Sequence, residues 1–100
     1  MLCALTVRKL KPGAMEDFKR AFAPPEDQKP PPGWKRFYAL QGVADENEVI
    51  TFGFFDGTLE EMQANQADND YDQRRAAAEE FVESVGTDGV FEVIEERSME

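Results

Sequence analysis

Alternation of apolar and polar positions with a period of two predicts four β-strands along the chain. The three clearest are residues 2–10, 34–41 and 49–55, and a shorter fourth strand is predicted at residues 90–94. Residues 42–48 contain a polar, turn-forming stretch, so the second and third strands are expected to form a hairpin. The first strand begins with residues that are apolar on both faces, which is typical of a sheet covered on both sides.

Helical spacing of apolar side chains predicts a first helix at residues 14–23. Met15, Phe18 and Phe22 fall on one stripe of this helix, and acidic residues occupy its first turn, where the helix dipole favours them. The segment that follows, residues 24–33, contains five prolines. Because proline fixes φ and lacks an N–H donor, this composition predicts a stiff, extended connector to the second strand.

A second helical segment is predicted to begin at Thr58, because Thr58 and Glu61 have the spacing of a capping box. Its pattern is interrupted at residues 68–70 and then resumes. The resumed helix is predicted to end at the glycine-containing residues 86–89. Its apolar face comprises Tyr71, Ala78, Phe81, Val82 and Val85.

The resulting order, β-α-β-β-α-β, predicts one α+β domain over residues 1–100. The expected architecture is ferredoxin-like, with a four-stranded antiparallel sheet and the helices on one face. The third strand is apolar on both sides, so its uncovered side carries one of two sets of residues. These sets are Ile50, Phe52 and Phe54, or alternatively Val49, Thr51 and Phe55. Either set would form an uncovered apolar surface, which indicates a homodimer formed through the sheet face.

The composition excludes several kinds of chemistry and partner. The chain has no histidine and one cysteine, Cys3, so it has no Ser-His-Asp or Cys-His nucleophile and no internal disulfide. Its net charge of −10 is uneven, because residues 1–50 carry 8 basic and 7 acidic side chains while residues 51–100 carry 3 and 14. This charge repels phosphate backbones and anionic lipids, so neither nucleic acid nor a membrane is an expected partner. Short apolar runs without a signal-peptide pattern lead us to expect a cytoplasmic location.

Three stretches of the sequence carry a resemblance to a known family. They are residues 7–13 (VRKLKPG), residues 15–18 (MEDF) and residues 47–56 (NEVITFGFFD). In these stretches the chain resembles the antibiotic biosynthesis monooxygenase-like family of dimeric α/β-barrel proteins. The resemblance implies a dimer formed sheet to sheet, with a pocket between the sheet and the helices of each subunit. It also implies oxidation of aromatic molecules by molecular oxygen without a cofactor, since several members use neither metal nor flavin. Haem-degrading relatives use a histidine ligand that this chain lacks.

Oxygenation without a cofactor requires a pocket that orients an electron-rich phenol or quinol, assists its deprotonation and stabilises the oxyanion. Aromatic, arginine and asparagine side chains suit these tasks. The candidate ligand-binding residues are Arg8, Trp34, Arg36, Tyr38, Asn65, Asn69 and Tyr71. No metal site is expected, because the acidic stretch that begins at Asp68 has Gln73 where a calcium-binding loop requires glycine.

The same residues also have structural interpretations. Tyr38 could be a half-buried strand aromatic, and Arg8 and Arg36 could be solvated or ion-paired charges. Two functions therefore stay open. The first is a cofactor-independent monooxygenase acting on a small aromatic or quinol substrate. The alternative is a non-catalytic dimeric module that binds a small ligand or a protein partner.

Overall fold

The computed structural model describes residues 1–23, 32–68 and 71–99. Most of the predicted proline-rich connector therefore lies outside the described residues. The elements in chain order are β1 (Leu2–Leu10), α1 (Met15–Phe22), β2 (Trp34–Gln41), β3 (Glu48–Phe55), α2 (Leu59–Asp68), α3 (Tyr71–Glu79) and β4 (Val82–Glu92). The first three strands and α1 agree with the sequence pattern to within one residue at each end.

The four strands form one sheet in the order β2-β3-β1-β4, and every neighbouring pair is antiparallel. The predicted hairpin joins β2 to β3, with Tyr38 opposite Phe52 and Leu40 opposite Ile50. Each connection that contains a helix joins two strands that are not adjacent in the sheet. This arrangement is the predicted ferredoxin-like α+β fold.

The core lies between the sheet and the helices. It joins Leu10 of β1 and Val49 of β3 to Ala14 and Phe18 at α1 and to Ala78 of α3, and all five residues are buried. Burial stabilises the fold by about 1.5–3 kcal/mol for each large apolar side chain. All three helices contact this one face of the sheet, as predicted.

The beginning of α2 confirms the predicted capping box. The Thr58 N–H donates to Glu61 Oε1, and the Glu61 N–H donates to Thr58 Oγ1, both over 3.1 Å. These two bonds satisfy backbone and side-chain groups at the first turn, where an α-helix has no internal partners for its N–H groups.

The end of the helical region differs from its prediction. Helix α3 ends at Glu79, so the assignment of Phe81, Val82 and Val85 to the helix is wrong, and residues 86–89 lie within β4 rather than after a helix. The physical reason is pairing with β1, which places Val82 opposite Leu10. Strand pairing provides a complete ladder of hydrogen bonds, and β-branched valines suit a strand better than a helix.

The face of the sheet that lacks helices, called here the open face, carries Ile50, Phe52 and Phe54. The alternating residues Val49, Thr51 and Phe55 are buried on the helix side, which settles the alternative that the sequence left open. On the open face the rings of Tyr38 and Phe52 stack with centroids 5.2 Å apart.

Three further side chains on the open face stay substantially exposed in the single chain. Tyr38 is 39% exposed, Leu40 45% and Phe91 47%. The register of β4 on β1 places Phe91 opposite Cys3, in the same row as Phe54. The open face is therefore a continuous apolar surface across all four strands.

Among the described residues, no helix combines the length and the apolar character needed to cross a bilayer.

Candidate ligand-binding cavity

A cavity of about 670 Å³ lies between the helix side of the sheet and the helices. Strands β1, β2, β3 and β4 contribute residues to it, together with α1, α2 and α3. Its lining is mainly apolar, with a few polar and charged groups. Cavities of this size and character are typical of sites for small organic ligands.

Trp34, at the beginning of β2, lines the cavity and is held from two sides. Its Nε1–H donates to Oδ1 of Asn65 on α2 over 3.3 Å. Asn65 Nδ2 donates in turn to the carbonyl oxygen of Pro32 over 2.9 Å. The indole meets the ring of Phe55 edge-on, with centroids 5.2 Å apart. These contacts fix the orientation of the indole against the sheet.

Two glycines allow these rings to lie close to the backbone. A Cβ atom on Gly53 would lie 3.0 Å from Trp34 Cζ3, and one on Gly33 would lie 2.6 Å from the ring of Phe55. Gly33 also has φ of +92°, a left-handed conformation that side chains with a Cβ rarely adopt. Larger residues at either position would therefore displace Trp34 or Phe55.

A row of stacked phenylalanines forms a second part of the cavity lining. The ring centroids of Phe18 and Phe22 are 5.6 Å apart, and those of Phe22 and Phe37 are 5.9 Å apart. Arg8 lies behind this row, with its guanidinium carbon 5.6 Å from the Phe18 centroid and 5.4 Å from the Phe22 centroid. Its Nη1 donates to Thr51 Oγ1 over 2.8 Å. The cation therefore stabilises the aromatic row from the sheet side.

Asp88 of β4 is the centre of a charged cluster that lines the cavity. It accepts hydrogen bonds from Thr6 Oγ1 over 3.0 Å and from Arg75 Nη2 over 2.5 Å. Partial burial acts to raise the pKa of Asp88. The hydrogen bonds from Arg75 and Thr6, together with the charges of Arg75 and Arg8, outweigh that effect and hold the pKa below its ordinary value. Asp88 is therefore a fixed ion-pair partner rather than a proton acceptor near neutral pH.

Arg74, which precedes Arg75 on α3, also lines the cavity but is partnered differently. Its Nη1 donates to the carbonyl oxygen of Phe22 over 3.4 Å. Its Nε is buried and has no hydrogen-bond acceptor within the described residues. Buried donors without acceptors are uncommon in folded proteins, so the charge of Arg74 is incompletely compensated, and the part of its guanidinium that lines the cavity is a candidate contact for a ligand.

The cavity brings together the side chains of two candidate residues, Trp34 and Asn65. Arg36 also contributes to the lining, but its guanidinium contacts Tyr38. Arg8 is 1% exposed, so the solvated interpretation of this residue is wrong; it lies behind the aromatic row. Tyr38 lies on the open face, on the other side of the sheet, and Arg36 Nη1 donates to the Tyr38 hydroxyl there over 3.3 Å. A role for Arg36 and Tyr38 in ligand binding stays a prediction.

The two remaining candidates are in the region between α2 and α3. Asn69 lies outside the described residues. Tyr71 is the first residue of α3. The roles of both in ligand binding also stay predictions.

Sequence reasoning missed Arg74, Arg75 and Asp88 as cavity residues. The position of Asp88 offered one signal for its place on a strand, because Asp88 stands two residues before the last predicted strand, at residues 90–94. That signal was hidden because residues 86–89 were interpreted as the end of a helix. Within the described residues, no group of three or more His, Cys, Asp or Glu side chains is arranged to hold a metal ion.

Several solved structures share this fold along nearly the whole chain. An antibiotic biosynthesis monooxygenase-like protein from Chloroflexus aurantiacus has a TM-score of 0.76 at 10% identity, covering 99% of this chain and 98% of that one. Another from Nitrosomonas europaea has a TM-score of 0.75 at 18% identity, with 95% and 100% covered. A single-substitution variant of SnoaB, a cofactor-independent oxygenase from Streptomyces nogalater, has a TM-score of 0.70 at 13% identity, with 95% and 94% covered.

Neither a family model nor a curated protein sequence matches the chain. At these identities the likeness establishes the fold. The resemblance to the antibiotic biosynthesis monooxygenase-like family is confirmed at that level.

Proposed function

We propose that this chain binds a small planar aromatic molecule of the phenol or quinol class in the cavity and oxidises it with molecular oxygen, using neither metal nor flavin. The observation that carries the proposal is the aromatic lining of a cavity of about 670 Å³, in which Trp34 is fixed by Asn65. Flat aromatic surfaces favour offset stacking with a planar ligand. Further support comes from the fold shared with SnoaB, a cofactor-independent oxygenase.

The reaction needs no redox group on the protein because the substrate supplies the electrons that reduce O₂. A bound phenol loses its proton, and the phenolate transfers an electron to O₂. The two radicals then combine to form a C–O bond at a ring carbon that carries hydrogen. Loss of water from the resulting peroxide gives a quinone, so one oxygen atom enters the product and the other leaves as water.

The residues of the cavity have corresponding roles in this proposal. Trp34 and Phe22 would orient the ring, and Asn65 is a positioning residue that acts through Trp34. Basic residues that line the cavity, Lys19 and Lys35 among them, would favour the ionised form of the phenol. Exclusion of water by the aromatic rings would strengthen these electrostatic effects.

We further propose that two chains pair through their open faces. The exposed Leu40 and Phe91 and the row of phenylalanines on β3 form an apolar surface of the kind that marks an interface. Pairing would cover this surface and leave the cavity on the helix side accessible in each chain. A cytoplasmic location, expected from the sequence, stays a prediction.

The function is tested by a thermal-shift screen with planar phenols, naphthoquinols and anthraquinols, followed by oxygen-uptake measurements with each stabilising compound. Saturation at one hundred times the Kd adds about 2.7 kcal/mol of stability. Binding with enzyme-dependent oxygen uptake, and one atom of ¹⁸O₂ in the product, is the expected result. Binding without uptake would favour the non-catalytic ligand-binding module, and no stabilisation by any compound would overturn the proposal.

A trio of variants assigns the activity to the cavity. Trp34→Leu removes the stacking surface and should abolish the ligand-induced shift. Tyr38→Phe, on the opposite side of the sheet, is the matched aromatic control and should leave the shift unchanged. Loss of the shift in Tyr38→Phe but not in Trp34→Leu would place the ligand on the open face. Asn65→Leu should weaken binding less than Trp34→Leu, because it disturbs the position of the indole but leaves the stacking surface present.

A further inference from the structure

Two consecutive arginines on α3 differ in how their charges are compensated. Arg75 is paired with Asp88 over 2.5 Å and with Glu79 over 3.5 Å. Arg74 has no carboxylate within 4.0 Å in the described part of the chain, and its one hydrogen bond is a long contact with the carbonyl of Phe22. A partly buried guanidinium without a counterion is unfavourable unless something else pairs with it.

The free part of Arg74 has a defined shape. Nη1 is the nitrogen that contacts Phe22, which leaves Nε–H and the Nη2 amino group on the other edge of the planar guanidinium. Nε is enclosed by protein atoms, so the Nη2 amino group is the part of the guanidinium left for a ligand, and it can donate to a carboxylate oxygen in a charge-assisted hydrogen bond.

The charge distribution of the cavity also favours an anionic ligand. The whole chain has 11 basic and 21 acidic residues. Among the described residues whose side chains lie on the cavity side, however, Lys19, Lys35, Arg74 and Arg75 are basic and Asp88 alone is acidic. Lys19 is also paired with Glu16 over 3.2 Å at the exposed surface of α1, so Lys35 and Arg74 are the cations of this lining without a carboxylate partner in the described part of the chain. The Asp88 charge is already compensated by Arg75. A cationic cavity in a strongly acidic protein favours an anionic ligand over the neutral molecule of the same shape.

We infer that the ligand of this cavity is an aromatic carboxylic acid, bound with its ring against the aromatic lining and its carboxylate paired with the guanidinium of Arg74. The inference rests on the proposed function and narrows its substrate class. A carboxylate fits better than a bulkier tetrahedral anion, because it is coplanar with its ring and the lining is made of flat aromatic surfaces.

The test compares 2-naphthoate with 2-naphthamide, which match in size and differ in charge, by calorimetric titration of the wild-type protein. A charge-assisted hydrogen bond to Arg74 should make 2-naphthoate bind about tenfold to a hundredfold more tightly. This preference should decrease as salt is raised, because the ion pair is partly screened. Equal affinity for the two compounds, or binding of neither, would overturn the inference. The proposed function is decided separately by the screen with phenols and quinols.

Variants then assign the preference to one residue. Arg74→Gln should reduce 2-naphthoate affinity to that of 2-naphthamide and leave 2-naphthamide binding unchanged. Arg20→Gln is the matched control, because Arg20 is an exposed arginine on α1 that is paired with Asp17 and does not line the cavity. If Arg74→Gln weakened both compounds equally, Arg74 would be structural and the inference would be wrong. The wild-type comparison decides the ligand class even if the variant folds poorly.

Discussion

The indole N–H of Trp34 donates a hydrogen bond to the side-chain oxygen of Asn65 over 3.3 Å, and this bond joins the beginning of β2 to α2 across 31 positions of sequence. Asn65 also holds the carbonyl of Pro32. One amide side chain therefore positions both the aromatic ring and the backbone that leads into its strand. Trp34 is the only tryptophan in the chain, so its fluorescence reports on this arrangement directly.

Replacing Asn65 with leucine should release the indole. Trp34 would lose its acceptor and Pro32 its donor, which should lower the free energy of unfolding by about 1–3 kcal/mol. Tryptophan emission should move to longer wavelength because the ring becomes more hydrated. Gln63→Leu, at an exposed position of the same helix, is the control and should change neither the melting temperature nor the emission appreciably. Identical behaviour of the two variants would contradict a positioning role for Asn65.

Replacing Gly53 with alanine should displace Trp34 from the sheet. The new Cβ would lie 3.0 Å from the indole, closer than ordinary van der Waals contact. Overpacking of this kind costs about 1–3 kcal/mol. Gly86→Ala is the matched control, since its Cβ would meet its nearest atom at 3.7 Å. Chemical denaturation of both variants checks this, and a Gly53→Ala protein as stable as Gly86→Ala would show that the indole is not held against β3.

Protonation of Asp88 in acid should remove its stabilising contacts and lower the free energy of unfolding. Its pKa is lower in the folded state than in the unfolded chain, so its contribution to stability is present above the unfolded pKa of about 3.9 and is lost as the pH falls through the folded value. Unfolding measured from pH 7 to pH 2 should therefore show a smaller acid-induced loss for Asp88→Asn than for the wild type.

The control for that experiment is Asp56→Asn, an exposed aspartate at the end of β3. It should leave the pH profile close to that of the wild type. If both variants changed the profile by the same amount, the contacts of Asp88 with Arg75 and Thr6 would not account for the effect.

If two chains pair through their open faces, formation of the dimer should depend on Leu40. Light scattering of the wild type at micromolar concentration should give twice the chain mass of 11.3 kDa. Leu40→Glu places a charge on the open face, on the edge strand β2, and should give monomers, because an unpaired charge in an interface is strongly unfavourable. Val43→Glu, at a fully exposed position of the β2–β3 turn, should leave the dimer intact. A monomeric wild-type protein would refute the pairing.

The sequence predicted most of the fold where the signal is local. The strands β1, β2 and β3, the helix α1 and the capping box of Thr58 and Glu61 depend on side-chain spacing within a few residues. That spacing sets which face of an element is apolar whatever the rest of the chain does. The order of these elements was then enough to indicate the ferredoxin-like sheet.

The site was predicted less completely because its parts are far apart in sequence. Trp34 and Asn65 were both candidates, but nothing local shows that they touch. Arg8 was a candidate for the ligand site, and only the packing of α1 on the sheet places it behind Phe18 and Phe22.

The sequence by itself therefore determined the element types, their order and the presence of an apolar face in need of a partner. Tertiary structure alone decided that residues 82–89 extend β4, since the ladder with β1 outweighs the apparent helical pattern. It also decided which side of β3 faces the helices, and that Asp88 compensates Arg75 while Arg74 has no carboxylate partner in the described part of the chain. Long-range pairing and ion-pair partners are properties of the assembled sheet and helices, and no local pattern of residue types encodes them.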